Sequence, residues 1–244
     1  MFGSVGKYDY LCSGFQLNLR FSMKIITYNI HHCTQEKVDS VLRRRADVYV
    51  LPEMADPSTL SLPDGYTSYW QGDIAIKGLG VIVRPGLRSR VPDWFDSSLK
   101  YFIPVICERI LVLASWPTRR ESNAPKGYPQ IAVEAMRSYG TRFDAFPSVV
   151  TGDLNLYKGQ QDETEEYSLE AVAGYLKRYG MRSAYHLMTG EPFGQERQAT
   201  YYHRFEKDKP FFLDYTFTNI PVKDYVLYGW DPQFSDHVMQ LLEV

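Results

Sequence analysis

Residues 23–53 read MKIITYNIHHCTQEKVDSVLRRRADVYVLPE, and the apolar period changes twice along them. Met23–Ile30 is rich in β-branched residues and reads as a buried strand. Val38, Val41 and Leu42 then recur at helical spacing among charges, which predicts an amphipathic helix over Glu36–Arg45. Asp47–Leu51 returns to a short apolar strand that ends at Pro52-Glu53. The order is strand, helix, strand.

Further along the chain, strands are predicted over Tyr66–Trp70, Ile74–Val83 and Tyr101–Trp116, broken by Gly and Pro at hairpin-like spacing. A helix is predicted over Pro129–Phe143, then a short strand over Ser148–Thr151. Glu165–Tyr179 reads as a second long helix, with Gly180 as its stop. The remainder reads as strands: Arg182–His186, Ala199–Arg204, Phe211–Thr218, Lys223–Tyr228 and a last one from about Val238. βαβ units mixed with consecutive strands favour an α+β chain of two packed sheets flanked by helices over one doubly wound sheet. No internal repeat and no Ser- or Gly-rich linker divides the chain. Residues 1–22 read as an N-terminal extension outside the fold, which leaves one domain over 23–244.

Composition narrows the partners. The 244 residues are 44% hydrophobic and 23% charged, which supports an ordinary core and argues against disorder. Lys plus Arg is 27 and Asp plus Glu is 29, a net charge of −2. A protein that grips long duplexes through their phosphates carries a basic excess, and here only Arg43, Arg44 and Arg45 form a local patch. No apolar run is long enough for a membrane span, and the first 22 residues lack the apolar core of a secretory signal. Cys12, Cys33 and Cys107 cannot all pair within one chain and show no metal-ligand spacing, which predicts thiols in a reducing, cytoplasmic compartment.

The chemistry lies where polar residues meet the ends of apolar strands. Asn29 closes the first strand, Glu53 follows DVYVLP, Gly152-Asp153-Leu154-Asn155 follows SVVT, and Ser235-Asp236-His237 precedes the last strand. Asp214 sits inside the apolar run FFLDYTF, where a carboxylate needs a partner, and a histidine is a good one. Each site alone has a plain structural reading: a cap for Asn29, a surface carboxylate for Glu53, turns for GDLN and SDH. Together they make a chemical kit. Glu53 and Asp236, with the amides of Asn29 and Asn155, are hard oxygen ligands and phosphate contacts suited to Mg²⁺. Asp153 can orient or deprotonate a water, and His237 can donate to a phosphoryl oxygen with Asp214 fixing its tautomer.

TYNI (27–30), LPE (51–53), GDLN (152–155), FLDYTF (212–217) and SDH (235–237) resemble, in order, the motifs of the endonuclease/exonuclease/phosphatase superfamily, which has the deoxyribonuclease I-like fold. The resemblance implies a four-layer α/β/β/α sandwich and Mg²⁺- or Mn²⁺-dependent hydrolysis of a phosphate ester. Carried over by motif, Glu53 is the main metal ligand, with Asn29 and Asp236 in or beside the metal shell. Asp153 positions or activates water, Asn155 holds the phosphate, and His237, oriented by Asp214, stabilises the charge on the phosphoryl group.

Two departures stand out. Many members carry His or Tyr after the central strand, where this chain reads Leu113–Thr118 with neither. Tyr128 or a metal-bound water is then expected to supply the missing contact. Some nucleases carry an acid two residues after the first Asn, where this chain has His31, which leaves one metal or two open. His31 is a further candidate for contact with substrate. The run Tyr201-Tyr202-His203-Arg204 offers an aromatic and cationic wall, and Arg119 and Arg120 offer either a phosphate contact or a solvated basic loop. The expected activity is a metal-dependent phosphodiesterase or nuclease acting on a phosphate ester, with nucleic acid among the substrates considered. The alternative is a binding or regulatory module of the same fold with little turnover.

Overall fold

The computed structural model describes residues 22–119 and 126–244. Cys12, Arg120 and all of the N-terminal extension except Ser22 lie outside them.

The opening unit forms as its periodicity dictates. β1 (Lys24–Thr27) is followed by α1 (Gln35–Leu42) and β2 (Val48–Met54), and β1 and β2 pair in parallel. Thr34 caps α1, its side chain accepting the Lys37 N–H. β3 (Thr67–Ile74) and β4 (Lys77–Val83) form a hairpin, with β4 antiparallel to β2. Then come β5 (Ser89–Arg90), β6 (Phe102–Cys107) and β7 (Ile110–Ser115), followed by α2 (Tyr128–Tyr139) and α3 (Arg142–Ala145). β8 (Ser148–Asp153) and α4 (Leu169–Lys177) follow, then β9 (Arg182–Ser183) and α5 (Ala184–Thr189). The C-terminal part adds β10 (Tyr201–Tyr202), β11 (Pro210–Phe211), β12 (Asp214–Thr218), β13 (Asp224–Leu227) and β14 (Gln240–Glu243).

Two six-stranded sheets result, in the orders β13-β14-β1-β2-β4-β3 and β5-β6-β7-β8-β12-β9. Alternation along the strands sorts the core into three slabs. Ile25, Val48, Val50 and Val81 meet Val105, Val112, Ala114 and Val149 between the sheets. Ile26, Tyr49, Leu51 and Ile82 face the other way, against Val38, Val41 and Leu42 of α1. Leu111, Leu113, Val150 and Phe217 pack on Ile131 and Met136 of α2 and on Val172 and Leu176 of α4. Helix, sheet, sheet, helix is the expected four-layer α+β sandwich.

The expected elements change at a few places. Pro129–Phe143 is broken near Gly140 into α2 and α3. α4 begins only at Leu169, because Ser168 caps it by accepting the Ala171 N–H. The strand expected over Arg182–His186 is a strand for two residues only. Ala184–Thr189 is helical instead, started at Ser183 and stopped by Gly190 at φ 75°. The stretch AYHLM has no β-branched residue to favour the extended chain.

The slab between the sheets is not wholly apolar. Thr27 Oγ1 lies 2.6 Å from Thr151 Oγ1, which lies 2.7 Å from Thr216 Oγ1. Thr216 donates to Gln240 Oε1 at 3.1 Å, and Tyr225 donates to the same oxygen at 2.5 Å. This row of buried hydroxyls crosses from one sheet to the other. Two residues further along the same strand faces stand Asn29, Asp153 and, running back along β12, Asp214.

Candidate active site

The site is the open end of that inter-sheet seam. Asn29 lies just beyond β1, Asp153 ends β8, and Asp214 begins β12 directly opposite Asp153 in the antiparallel ladder. Asp236 and His237 precede β14, and His237 makes an isolated antiparallel bridge to Tyr201. Glu53 requires a special device. Alternation along β2 alone would send it to the helix side with Tyr49 and Leu51. A bulge between Pro52 and Met54, with Glu53 at φ 65°, re-aims it.

The buried acids are tied together by donors. Asn29 Nδ2 donates to Asp153 Oδ2 at 2.9 Å and reaches Glu53 Oε1 at 3.5 Å. Asp153 Oδ1 accepts the Asn155 N–H at 3.0 Å, and Asn155 Nδ2 donates to Pro117 O at 3.0 Å. His237 Nδ1 bonds Asp214 Oδ2 at 2.9 Å, and its Nε2 faces Asp153 Oδ2 at 3.8 Å. Asp153, Asp214 and His237 are 2%, 1% and 5% exposed, so their charges act with little screening by water.

Burial pushes the Asp153 carboxyl up to about 7, with Asp214 adding to the rise and His237 opposing it. Burial alone would lower His237, but Asp214 and Asp153 outweigh it and hold the imidazole at about 10. The arrangement is therefore a near-neutral base beside an imidazolium whose free N–H side points at the same spot. That pairing suits proton removal from a water and donation to a developing negative charge.

The sequence-predicted residues gather here. His31 Nδ1 lies 3.3 Å from Asp236 Oδ1, which brings His31 to the same cleft. Tyr128 and Arg119 form a cation–π pair at 4.8 Å and line, with Asn155, a cavity of about 610 Å³ beside the site. His203 is one step removed. Its Nδ1 takes a 3.0 Å bond to the Tyr201 hydroxyl, and the Tyr201 ring packs 4.7 Å from His237.

Two further residues, Lys77 and Thr200, were not marked by the sequence, and a third, Ser235, was marked only as part of its motif. Lys77 Nζ lies 2.7 Å from Glu53 Oε2 and 5.6 Å above the Trp116 ring. Only the pairing of β2 with β4 brings it there, so no local motif announces it. Thr200 Oγ1 accepts the N–H groups of Leu213 and Asp214 at 2.8 and 3.0 Å and so sets the start of β12. Ser235 donates to the Asn29 carbonyl at 2.7 Å and accepts the His237 N–H at 3.0 Å. It belongs to the SDH motif, but its clamping of β1 to that motif needs the fold to be seen.

Two donor sets suit a divalent cation. Asp153, Asp214 and His237 offer ligand atoms within 4.8 Å of one another. Glu53 and Asp236 offer hard carboxylate oxygens, each held by a cationic or imidazole partner, Lys77 or His31. In the first set, Nδ1 of His237 is already committed to Asp214. The second set is all oxygen, the donor type that Mg²⁺ and Mn²⁺ prefer. Asp214 Oδ1 is buried with no hydrogen-bond partner among the described residues, which leaves the first set one free oxygen.

Comparison with solved structures bears out the fold. The chain is similar to a 3′ phosphatase, NExo, from Neisseria bound to a product DNA hairpin, with TM-score 0.66 and 15% identity over 90% of this chain and 98% of that one. It is similar to an AP endonuclease from Archaeoglobus fulgidus, with TM-score 0.64 and 16% identity over 90% and 98% of the two chains. The endonuclease domain of TRAS1, a telomere-specific non-LTR retrotransposon, gives TM-score 0.62 and 12% identity over 91% and 98%. No family profile matches the chain, and no curated protein matches it by sequence. The chain thus shares the fold of these structures, the four-layer α+β sandwich that the ordered motifs implied.

Proposed function

We propose that this protein is a divalent-metal-dependent phosphoesterase of the phosphodiesterase or nuclease kind. The observation that carries the reading is the buried Asp214–His237 pair with Asp153 at 3.8 Å, next to the oxygen-rich Glu53 and Asp236. Glu53 and Asp236 would hold Mg²⁺ or Mn²⁺, with Asn29 bridging Glu53 to Asp153 at its side. The metal's contribution is to draw charge off the phosphoryl oxygens. Asp153 takes a proton from the attacking water. The new bond joins that water's oxygen to phosphorus, the ester P–O bond breaks, and the departing oxygen is protonated from solvent. His237 donates through Nε2 to a phosphoryl oxygen as charge builds, and Asp214 keeps its Nδ1 side protonated and oriented. Asn155 has an amide hydrogen left for the phosphate after its bond to Pro117 O.

Nuclease and phosphatase neighbours support a phosphate-ester substrate, and the one bound to a product DNA hairpin favours nucleic acid among them. Free Cys33 and Cys107 among the described residues support a reducing, cytoplasmic location. No helix among the described residues is long and apolar enough to cross a membrane. The missing His or Tyr after the central strand is the one departure that would suit a binding module without turnover, and the presence together of Glu53, Asp153, Asn155, Asp236 and His237 weighs against it.

The test is hydrolysis of bis-nitrophenyl phosphate and of short oligonucleotides with Mg²⁺, Mn²⁺ or chelator, beside Asp153→Ala. Metal-dependent turnover lost in the variant is expected. Turnover that survives chelation or the substitution would overturn the mechanism.

A further inference from the structure

A second cavity of about 610 Å³ lies across the β10–β11 ribbon from His237. β10 has two residues, and by strand alternation they face opposite ways. Tyr201 packs on His237 at 4.7 Å. Tyr202 stacks on Trp230 at 4.0 Å with 20° between the ring planes, and both rings line the cavity.

This aromatic platform is fastened to the active-site segment itself. The Tyr202 N–H donates to the Asp236 carbonyl at 2.7 Å. The Trp230 indole N–H donates to the Ser235 carbonyl at 2.9 Å. The Tyr202 backbone and the Trp230 ring are thus each one hydrogen bond from the Ser235–His237 segment, and both rings are half-buried, with area left to cover. Tyr157, whose ring packs on Phe211 at 5.2 Å, lines both this cavity and the one beside Asn155. Lys207, exposed on the cavity rim with no ion partner among the described residues, adds a positive charge.

We propose that this cavity is a stacking site for one unpaired nucleobase adjacent to the scissile phosphate, with Lys207 meeting the phosphate of that nucleotide. The inference rests on the phosphoesterase reading and sharpens it. The substrate becomes a nucleic-acid strand with at least one unstacked base next to the cleavage point. The chemistry selects this ligand. A base presents a flat π-face to Tyr202 and Trp230, and its backbone continues as a chain of anions into a cleft built for phosphate. The exposed amide of Gln198 on the lining can pair with the polar edge of a heterocycle, where an acyl chain offers it no partner.

The experiment measures affinity in chelator, where no hydrolysis occurs, by fluorescence anisotropy of a 3′-labelled single-stranded pentanucleotide. A single baseless tetrahydrofuran residue is walked through the strand. In the unaltered protein, one position of the baseless residue should weaken binding by roughly 5- to 150-fold, the range of one base–aromatic stack. In Tyr202→Ala and in Trp230→Ala that positional effect should vanish, while Trp230→Phe should retain most of it. Lys207→Gln should lower the slope of log K against log salt by about 0.7, one single-strand phosphate. A strand in which no position matters, or a positional effect unchanged in both alanine variants, overturns the stacking site. Bis-nitrophenyl phosphate turnover is read in parallel. If it is metal-dependent while the walk shows nothing, the stacking site fails and the phosphoesterase reading stands. If the walk succeeds but no metal supports turnover of any ester, the site stands as a strand-binding site and the phosphoesterase reading fails.

Discussion

Replacing Lys77 by Met should tighten the binding of Mn²⁺, although it removes a polar contact from the site. The Lys77 ammonium lies 2.7 Å from Glu53 Oε2 and so competes with any cation for that carboxylate. At that distance the attraction is about 1.5 kcal/mol with the dielectric of water and about 6 with an effective value of 20. The Lys77 side chain is 35% exposed, so solvent screening places the pair toward the low end. Desolvation of the ammonium opposes it further. A net competition of about 1–2 kcal/mol is reasonable, which makes Mn²⁺ bind roughly 5- to 30-fold more tightly once the charge is gone. Met keeps an unbranched stem over Trp116, so packing is little disturbed. Isothermal titration calorimetry at 0.15 M salt reads the constant directly. Unchanged or weaker Mn²⁺ binding would refute the idea that Glu53 is a metal ligand held in check by Lys77.

Asp214→Asn removes the negative charge that most raises His237, so the imidazole should titrate about 1–3 units below its value near 10, as followed by ¹⁵N NMR in chelator. The sign follows from linkage. A histidine whose folded value lies above its unfolded one gives stability that is complete below about 6.5 and lost as pH rises through about 10. In the variant that window should narrow from its upper edge. Gly152→Ala should destabilise the protein by about 3 kcal/mol or more, since a Cβ there would stand 1.7 Å from the Ser115 carbonyl oxygen, between two paired strands. Urea denaturation would show it as a lower midpoint at unchanged slope. Thr151→Val should cost about 1–3 kcal/mol, because the buried hydroxyls of Thr27 and Thr216 both lose their shared partner. Thr151→Ser should recover most of that.

The sheets were legible because their central strands are buried and the apolar runs of those strands are long enough to show. α1 declared itself by Val38, Val41 and Leu42, and the acids declared themselves by interrupting apolar strands. Asp214 is the clearest case. A carboxylate inside FFLDYTF demanded a partner, and the partner is His237. The segment after Arg182 was misread because AYHLMT carries an apolar pattern too short to separate a turn and a half of helix from a strand. Lys77 was invisible for a different reason. Its meaning depends on β-sheet pairing to Glu53, 24 residues away in sequence, and on a bulge that no residue type marks. Thr200 was hidden likewise, because a threonine in a loop is unremarked until its hydroxyl is seen to hold two backbone N–H groups.

The row of hydroxyls from Thr27 to Gln240 has a consequence for how such a site survives change. Two apolar sheet faces can slide past one another at little cost, because hydrophobic contact has no preferred direction. Hydrogen bonds are directional, and the two that run from one sheet to the other, Thr27 with Thr151 and Thr216 with Gln240, can be made at only one alignment of the sheets. The row therefore works as a detent between the two halves of the sandwich. Asn29 rides on one half, and Asp153 and Asp214 ride on the other. Core residues above and below can drift in size over generations while the detent keeps the two halves of the site facing each other.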